Sequence, residues 1–434
     1  MAVTAPNASH HHTAIGIKGD DFSKDEVAQP LVSIRQTGFE DGNSIETQTD
    51  EGHTGVSNLD MGSFRTKAES APAWTDGIRF GQGIEDYLYL LLAHDEIDDY
   101  NNGTADVDGV YTHHFAMPSN TEEELPFATI YHGFSKTLTD GRIFNNAMLN
   151  EFEMTYNADD KPTVAPTFVS DYNIVNTQNP PRDFLADHLA RTVMAPHTKV
   201  YIGPVGATEI WDGTGSSDGK MVSIDCFSEA SWTVNNNAES QACHDDKFGE
   251  NTKLMGQREV TGTITMPWHE STKYFETEYE AYYKYGHIVS EEITQKQVWY
   301  EHEGGNITVI RDSSTLGDGE VLIGEVDVGG TTKYKIATGI PYKGLYKFPV
   351  VEVTNVTSPK SGSDAKDLTW EWKGIEQPDQ SYLIADLVTD LAALHIDTTA
   401  SGSRKTRKDY YPPLKDGQSQ DIPENQKFAP YKDQ

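Results

Sequence analysis

The sequence predicts a mainly β fold assembled from two similar halves, and three observations lead there. Short β-branched or aromatic runs recur along the chain, bounded by Gly, Asn, Asp and Pro. Helical periodicity is confined to a few stretches. Seven Trp, 21 Tyr and 16 Phe supply core-forming side chains that a solvated coil would lack, despite a mean hydropathy of −0.59.

Residues 1–29 are small, polar and His-rich and read as an N-terminal arm. Strands are then expected at Leu31–Gln36, near Phe64–Thr66, and at Val110–Met117, Phe127–Phe134 and Met148–Tyr156. The last alternates cleanly, with Leu149, Glu151, Glu153 and Thr155 on one face and Phe152, Met154 and Tyr156 on the other. That pattern describes a sheet with one wet, carboxylate-bearing face. Ile84–His94 reads as a helix, its Glu85 and Asp86 suited to the positive end of the helix dipole.

Residues 30–172 form the first domain, and a Pro-rich linker with a short helix at Asp183–Met194 occupies 173–219. The second domain, 220–377, has strands at Met221–Phe227, Glu259–Met266, Val298–His302, Val321–Val328, Val350–Val356 and Leu368–Trp372, and a helix at Ser271–Tyr285. A hairpin is inserted at about 300–338. From 378 to 434 a helix at Tyr382–His395 leads into an extended arm that is basic at Arg404, Lys405, Arg407 and Lys408. Val32-Ser33-Ile34 and Val222-Ser223-Ile224 each precede a polar loop, a strand and a helix at similar spacing. Order and spacing therefore favour an internal duplication. A single copy stays open as the alternative.

With 68 Asp and Glu against 34 Lys and Arg, the net charge is −34 and the pI about 4.6. Adhesion to nucleic acid or to an anionic membrane needs the opposite balance. The longest apolar run, Tyr87 to Ala93, is far too short to span a bilayer, and the N-terminus has no basic-then-apolar leader pattern. Cys226 and Cys243 allow at most one disulfide.

Motifs for chemistry fail one by one. Gly215–Gly219 matches GxSxG, but a turn-rich stretch precedes it and a strand follows, the reverse of a nucleophile elbow. Met221 follows Lys220 where a phosphate-binding loop needs Ser or Thr. His269-Glu270 is followed by Lys273 instead of a second His. No register of His94–Gly109 makes a calcium loop, so it reads as a solvated acidic loop. His10-His11-His12 reads as a polar stretch of the arm. The expectation is no catalytic residues, no metal site and no cofactor.

Three stretches resemble the major tail tube proteins of long-tailed, non-contractile (siphovirus-like) phages and of archaeal tailed viruses. They are Tyr111-Thr112-His113-His114-Phe115 with Leu125–Ile130, then Arg258–Pro267 leading into Tyr274 and Phe275, and Leu368–Gly374. Together they run in family order over residues 30–377. The resemblance implies tandem β-sandwich or half-barrel domains, each with one flanking helix. It also implies a structural virion protein whose rings stack into a tube for genome delivery. Three two-copy chains would make a ring with pseudo-sixfold symmetry, and six single-copy chains a hexamer. Implied partners are further copies of the chain, a tape measure protein, a tail terminator and baseplate proteins. DNA would pass through the lumen without specific binding, and no membrane is involved. The implied location is the virion tail, after assembly in the host cytoplasm.

Glu151, Glu153 and Glu371 are the expected lumen-facing carboxylates, with an outward, solvent-facing placement as the alternative. A saline habitat is a second explanation of the charge, although 24 Lys against ten Arg is not Lys-poor. Another tail component of the same fold, such as a baseplate hub, a completion protein or a host-binding protein, is the rival function. A carbohydrate-binding or carbohydrate-active β protein is a more distant one.

Overall fold

The computed structural model describes residues 12–34, 36–49, 63–101, 106–116, 125–133, 141–176, 192–214, 216–217, 219–224, 226–241, 252–267, 295–304, 307–315, 320–328, 330–338, 342–357, 367–375 and 381–406. They are mainly β, with one helix, Ile84–Leu92, among them. The backbone of the fold is an antiparallel sheet that crosses the molecule. Its strands run in the order Thr37–Glu40, Ala73–Gly77, Thr163–Asp171, Gly141–Asn157, Glu229–Asn235, Glu259–Pro267, Asp367–Gly374 and Lys343–Thr357. Four of these strands come from each half. The seam between the halves is the seven-residue ladder from Glu151↔Asn235 to Asn157↔Glu229.

Alternation explains why this sheet has a core side. Phe152, Met154, Tyr156, Trp232, Val234, Val260, Ile264, Trp370 and Trp372 all point to one face and are buried in a single apolar cluster. Trp372 lies directly across Gly262, where a Cβ would stand 2.2 Å from its ring. The helix packs on the same core through Leu88, Leu91 and Tyr87. It starts after Gly83 (φ 119°) and ends at Ala93 (φ 60°), whose N–H donates to the Tyr89 carbonyl at 2.8 Å. Glu85 stays buried because it accepts the Gly81 N–H at 2.6 Å.

A single scheme of strand pairings occurs in both halves. In the first, His12–Lys18 pairs with Val32–Ile34 and Ala128–Gly133. The latter pairs with Gly141–Asn157, which also pairs with Thr163–Asp171 and Ile174–Asn176. Thr163–Asp171 then pairs with Ala73–Gly77, and that strand with Thr37–Glu40. In the second half the corresponding strands, in chain order, are Val193–Pro204, Val222–Ile224, Glu229–Asn235, Glu259–Pro267, Gln295–Gly304, Lys343–Thr357, Asp367–Gly374 and Ile384–Thr389. They make the same seven pairings.

The registers agree as well. Matching the ladders sets Ile34 on Ile224, Thr75 on Thr265, Phe144 on Phe348 and Ile174 on Ile384. Each half carries a bulge at Leu149/Glu151 or Val353/Asn355, and another at Ala128/Ile130 or Lys296/Val298. Bulges are built-in features of a ladder, and two coinciding pairs are not a product of generic sheet geometry.

Several expectations are corrected. Tyr382–His395 is not a helix: Ile384–Thr389 is a strand between Lys343–Lys347 and Tyr111–Ala116. Leu383, Ala385 and Leu387 are buried in alternation, and two flanking ladders override a helical spacing of Leu residues. The proposed arm 1–29 contains His12–Lys18, a fully buried strand, because Ile15 and Ile17 enter the core with Ile130 and Ile34 while Ala14 packs with Val27, Tyr131 and Ile143. Within the 173–219 linker, Ile174–Asn176 and Val193–Pro204 are sheet strands, while 177–191, with most of the expected helix, lies outside the described residues.

The insertion is a three-stranded sheet of Ile307–Arg311, Glu320–Val328 and Thr331–Thr338, and Tyr300–Gly304 belongs to the main sheet. His94–Gly109 contributes the strands of an antiparallel hairpin, Glu96–Asn101 and Asp106–Ala116, not a solvated loop. Leu149 is buried on the core side, since the bulge at Asn150 reverses the alternation there. The tail is docked through Thr406: Lys405–Thr406 pairs with Glu26–Val27. There the Arg404 guanidinium bonds Asp21 and Glu26 and lies 3.8 Å over the Phe22 ring. The Ser271–Tyr285 helix, Arg407 and Lys408 lie outside the described residues.

Candidate functional site

The opposite face of the crossing sheet is the surface that the sequence singled out. Glu151, Glu153 and Thr155 project from the strand nearest the seam and are half-buried. Pairing registers carry this face across six strands in four rows. One row runs Thr167, Glu151, Asn235, Glu259. The next is Ala165, Glu153, Thr233, Thr261, Lys373, Glu352. A third is Thr163, Thr155, Ser231, Thr263, Glu371, Asn355, and the last is Asn157, Glu229, Thr265, Thr369, Thr357.

Thus all three expected carboxylates share one face, although Glu371 aligns with Thr167 of the first half, not with Glu151 or Glu153. The sequence reasoning passed over Glu229, Glu259, Glu352 and Asp367, which belong to the same face. For Glu229, Glu259 and Asp367 the signal was available: EASWTVN, EVTGTITMP and DLTWEWKG all alternate polar and apolar residues.

Threonine and serine tile the ground between the acids. β-branched Thr suits a pleated surface, and its hydroxyl finds partners across strands. Ser231 Oγ and Thr263 Oγ1 lie 2.9 Å apart, and Thr265 Oγ1 and Thr369 Oγ1 3.2 Å. Asn235 Nδ2 donates to Glu151 Oε2 at 3.1 Å, and Thr155 Oγ1 to Glu153 Oε1 at 3.3 Å. Among the residues of these four rows, Lys373 alone is basic. The surface is therefore negative, hydrophilic and short in side chain. Nothing on it is arranged as a nucleophile with a base.

Buried ionisable groups lie elsewhere and tie segments together. Asp171 Oδ1 meets Lys253 Nζ at 2.7 Å, both side chains almost wholly buried, and Asp171 Oδ2 also accepts from Asn146 Nδ2 at 2.7 Å. Asp86, at the start of the helix, holds His395 by its ring Nδ1 at 2.8 Å and by its backbone N–H at 3.0 Å. Burial pushes the His395 imidazole down, but the Asp86 carboxylate outweighs it and leaves the pKa above the ordinary value. His113 is bound at both nitrogens, to Asp95 at 2.9 Å and to the Leu391 carbonyl at 2.7 Å. Burial opposes its charge, and Asp95 likewise outweighs that burial.

His302 sits between Tyr156 and Tyr346 hydroxyls in the core, where burial pushes its pKa down to about 3. Such groups act as structural ties in a fold, and none opens onto the carboxylate face.

Gly219 turns at φ 74° into the strand Val222–Ile224, while Gly215 and Asp218 lie outside the described residues. His12 is buried in its strand, and His10, His11, His269 and Glu270 lie outside the described residues. Cys226 is an exposed free thiol and Cys243 lies outside them. Among the described residues, no group of three or more His, Cys, Asp or Glu could hold a metal ion. No described helix is long and apolar enough to cross a membrane. No protein-family model matches the chain, and no curated protein matches it.

Proposed function

We propose that this chain is a tail tube subunit, a structural protein that forms rings stacked into a conduit for genome DNA. One observation carries the reading: a single sheet crosses both halves, with one face of aromatic core and the other of Thr, Ser and carboxylates. Tandem copies of one domain account for the repeated pairing scheme. Three chains then supply six copies around an axis, and the carboxylate face of each lines the bore.

The physics suits a non-adhesive channel. A duplex carries one phosphate charge per ~1.7 Å of axis, and basic surfaces hold it by releasing counterions. A wall bearing Glu151, Glu153, Glu229, Glu259 and Glu371 offers no such exchange. Its repulsion reaches about 8 Å at physiological salt, so it acts on DNA close to the wall and leaves the axis nearly field-free. Short hydroxyl side chains keep the wall wet and smooth between the acids.

The test is charge reversal of Glu151, Glu153 and Glu371 to Lys in assembled particles. Slower, more salt-sensitive DNA ejection with unchanged tube length and ring geometry is expected. Unchanged ejection from intact tubes removes the lumen assignment. A single ring instead of long tubes would move the chain to a hub role.

A further inference from the structure

We propose that Lys18 and Asn146 join covalently: Lys18 Nζ displaces ammonia from the Asn146 carboxamide to form an internal isopeptide bond, with Asp171 carrying the protons. The bond is a modification of the folded chain and goes beyond the tube reading, which stands or falls without it. Three features carry it: a buried amine against a carboxamide, an acid on the carboxamide's other end, and strands that hold all three in place.

Lys18 ends the strand His12–Lys18, and its backbone N–H donates to the Phe127 carbonyl at 2.8 Å. The residue is 8% exposed, and its Nζ donates to Asn146 Oδ1 at 2.5 Å. A carbonyl bond is about 1.2 Å long, so Asn146 Cγ lies at most about 3.7 Å from the amine. Reacting atoms poised for attack stand about 3–3.5 Å apart, a small swing of the Lys18 stem away. Asn146 is itself 5% exposed, and its Nδ2 donates to Asp171 Oδ2 at 2.7 Å and to the Lys24 carbonyl at 3.1 Å. A carboxylate and a carbonyl only accept, so the amide nitrogen must face them and the amide oxygen must face Lys18. Asp171 is wholly buried, and Lys253 Nζ holds its Oδ1 at 2.7 Å, which fixes Oδ2 toward the carboxamide.

The backbone aims these groups at one another. Asn145 and Asn146 together oppose the single residue Thr129 in a bulge, and Asn146 sits at φ 49°. Asparagine is among the few residues that adopt this left-handed conformation readily. The three reacting groups come from His12–Lys18, Gly141–Asn157 and Thr163–Asp171, and the ladders through Ala128–Gly133 set their spacing.

The step balances without a co-reactant. The Lys18 ammonium passes a proton to the Asp171 carboxylate, and the freed amine attacks Cγ. The Nζ–Cγ bond forms while the carbonyl electron pair moves onto Oδ1. When that pair returns, the Cγ–Nδ2 bond breaks and its electrons leave with the nitrogen. Asp171 hands Nδ2 the first Lys18 proton and then relays a second, so nitrogen departs as an ammonium ion. A secondary amide remains, and Asp171 ends as the carboxylate it was. Burial excludes water that would otherwise compete for Cγ.

Intact-mass spectrometry of the purified, folded full-length protein reads the bond directly and needs no variant. The parent should be lighter than its sequence by one ammonia. Trypsin should fail to cut after Lys18 and should release a branched peptide that joins the Lys18 and Asn146 segments. Lys18→Arg keeps the charge but has no amine nucleophile, and Asp171→Asn keeps the shape but relays no proton. Both should show the full mass, with circular dichroism matching the parent confirming that they fold. A folded parent that keeps its full mass on prolonged incubation overturns the proposal. So does a loss of ammonia without the branched peptide, or a loss of water that joins Lys253 to Asp171. The tube reading is judged separately: tubes of full-mass chains reject the bond alone, and bonded chains that never form tubes reject the tube alone.

Discussion

Replacing Gly262 by alanine tests whether the sheet's core side is packed as described. Gly262 faces Trp372 on one neighbouring strand and Trp232 on the other. A Cβ there would stand 2.2 Å from Trp372 Cζ2, 2.3 Å from Cε2 and 2.8 Å from the Ser231 carbonyl oxygen. The indole is the movable party, but it is 1% exposed and its Nε1 donates to the Tyr300 hydroxyl at 3.3 Å. Forcing a methyl into such a core costs about 1–3 kcal/mol. Displacing the indole forfeits a hydrogen bond worth about 0.5–1.5 kcal/mol, so the expected loss is about 2–4 kcal/mol.

Urea unfolding followed by far-ultraviolet circular dichroism reads it, because that signal does not depend on the tryptophan being changed. The decisive comparison is a cycle with Trp372→Phe, which removes the ring atoms that the methyl strikes. The double variant should be little worse than Trp372→Phe alone, a coupling of about 1–3 kcal/mol. Parent-like stability of Gly262→Ala, or strictly additive losses, would refute the packing argument.

Two further predictions concern pH. The His395 pKa is raised in the fold, so its tie to Asp86 is at full strength below the unfolded value of about 6.5 and is lost as pH rises through the folded value. Hydrogen exchange over residues 391–397, corrected for intrinsic rates, should quicken across that window in the parent, and Asp86→Asn should abolish the dependence; an unchanged profile in the variant counts against the latch. His302 runs the opposite way. Its pKa falls from 6.5 to about 3, so stability drops by about 1.4 kcal/mol per pH unit as pH falls between those values. A His302→Gln protein that keeps the same acid sensitivity would show that another group is responsible.

Local alternation was legible in the chain, and long-range partnership was not. Glu151, Glu153 and Glu371 could be set on wet faces from period two alone, because Phe152, Met154, Trp370 and Trp372 mark the dry side. Their membership of one surface depends on the seam ladder, and nothing near Glu151 in sequence announces Asn235. The Val-Ser-Ile pair at 32–34 and 222–224 was a true marker of corresponding strands. The halves share register and bulges but little sequence identity, since a pleated sheet accepts many side chains but not a shifted ladder.

Tyr382–His395 misled because Leu387, Leu391 and Leu394 also satisfy a helical spacing, and two waiting strand edges decided the matter. His12–Lys18 was missed because Ala14 and Gly16, weak strand formers, interrupt Thr13, Ile15 and Ile17. Gly16 is nonetheless required there: a Cβ would stand 1.8 Å from the Gln29 carbonyl oxygen.

Electron microscopy of the purified full-length protein across a range of salt concentrations tests the central claim most directly. Three-chain rings with pseudo-sixfold density, stacked into tubes with Glu151, Glu153 and Glu371 on the bore, are the predicted result. Salt should promote the assembly, since chains of net charge −34 repel one another until screened. Monomers at every salt concentration, or rings that turn this carboxylate face outward, would contradict the account.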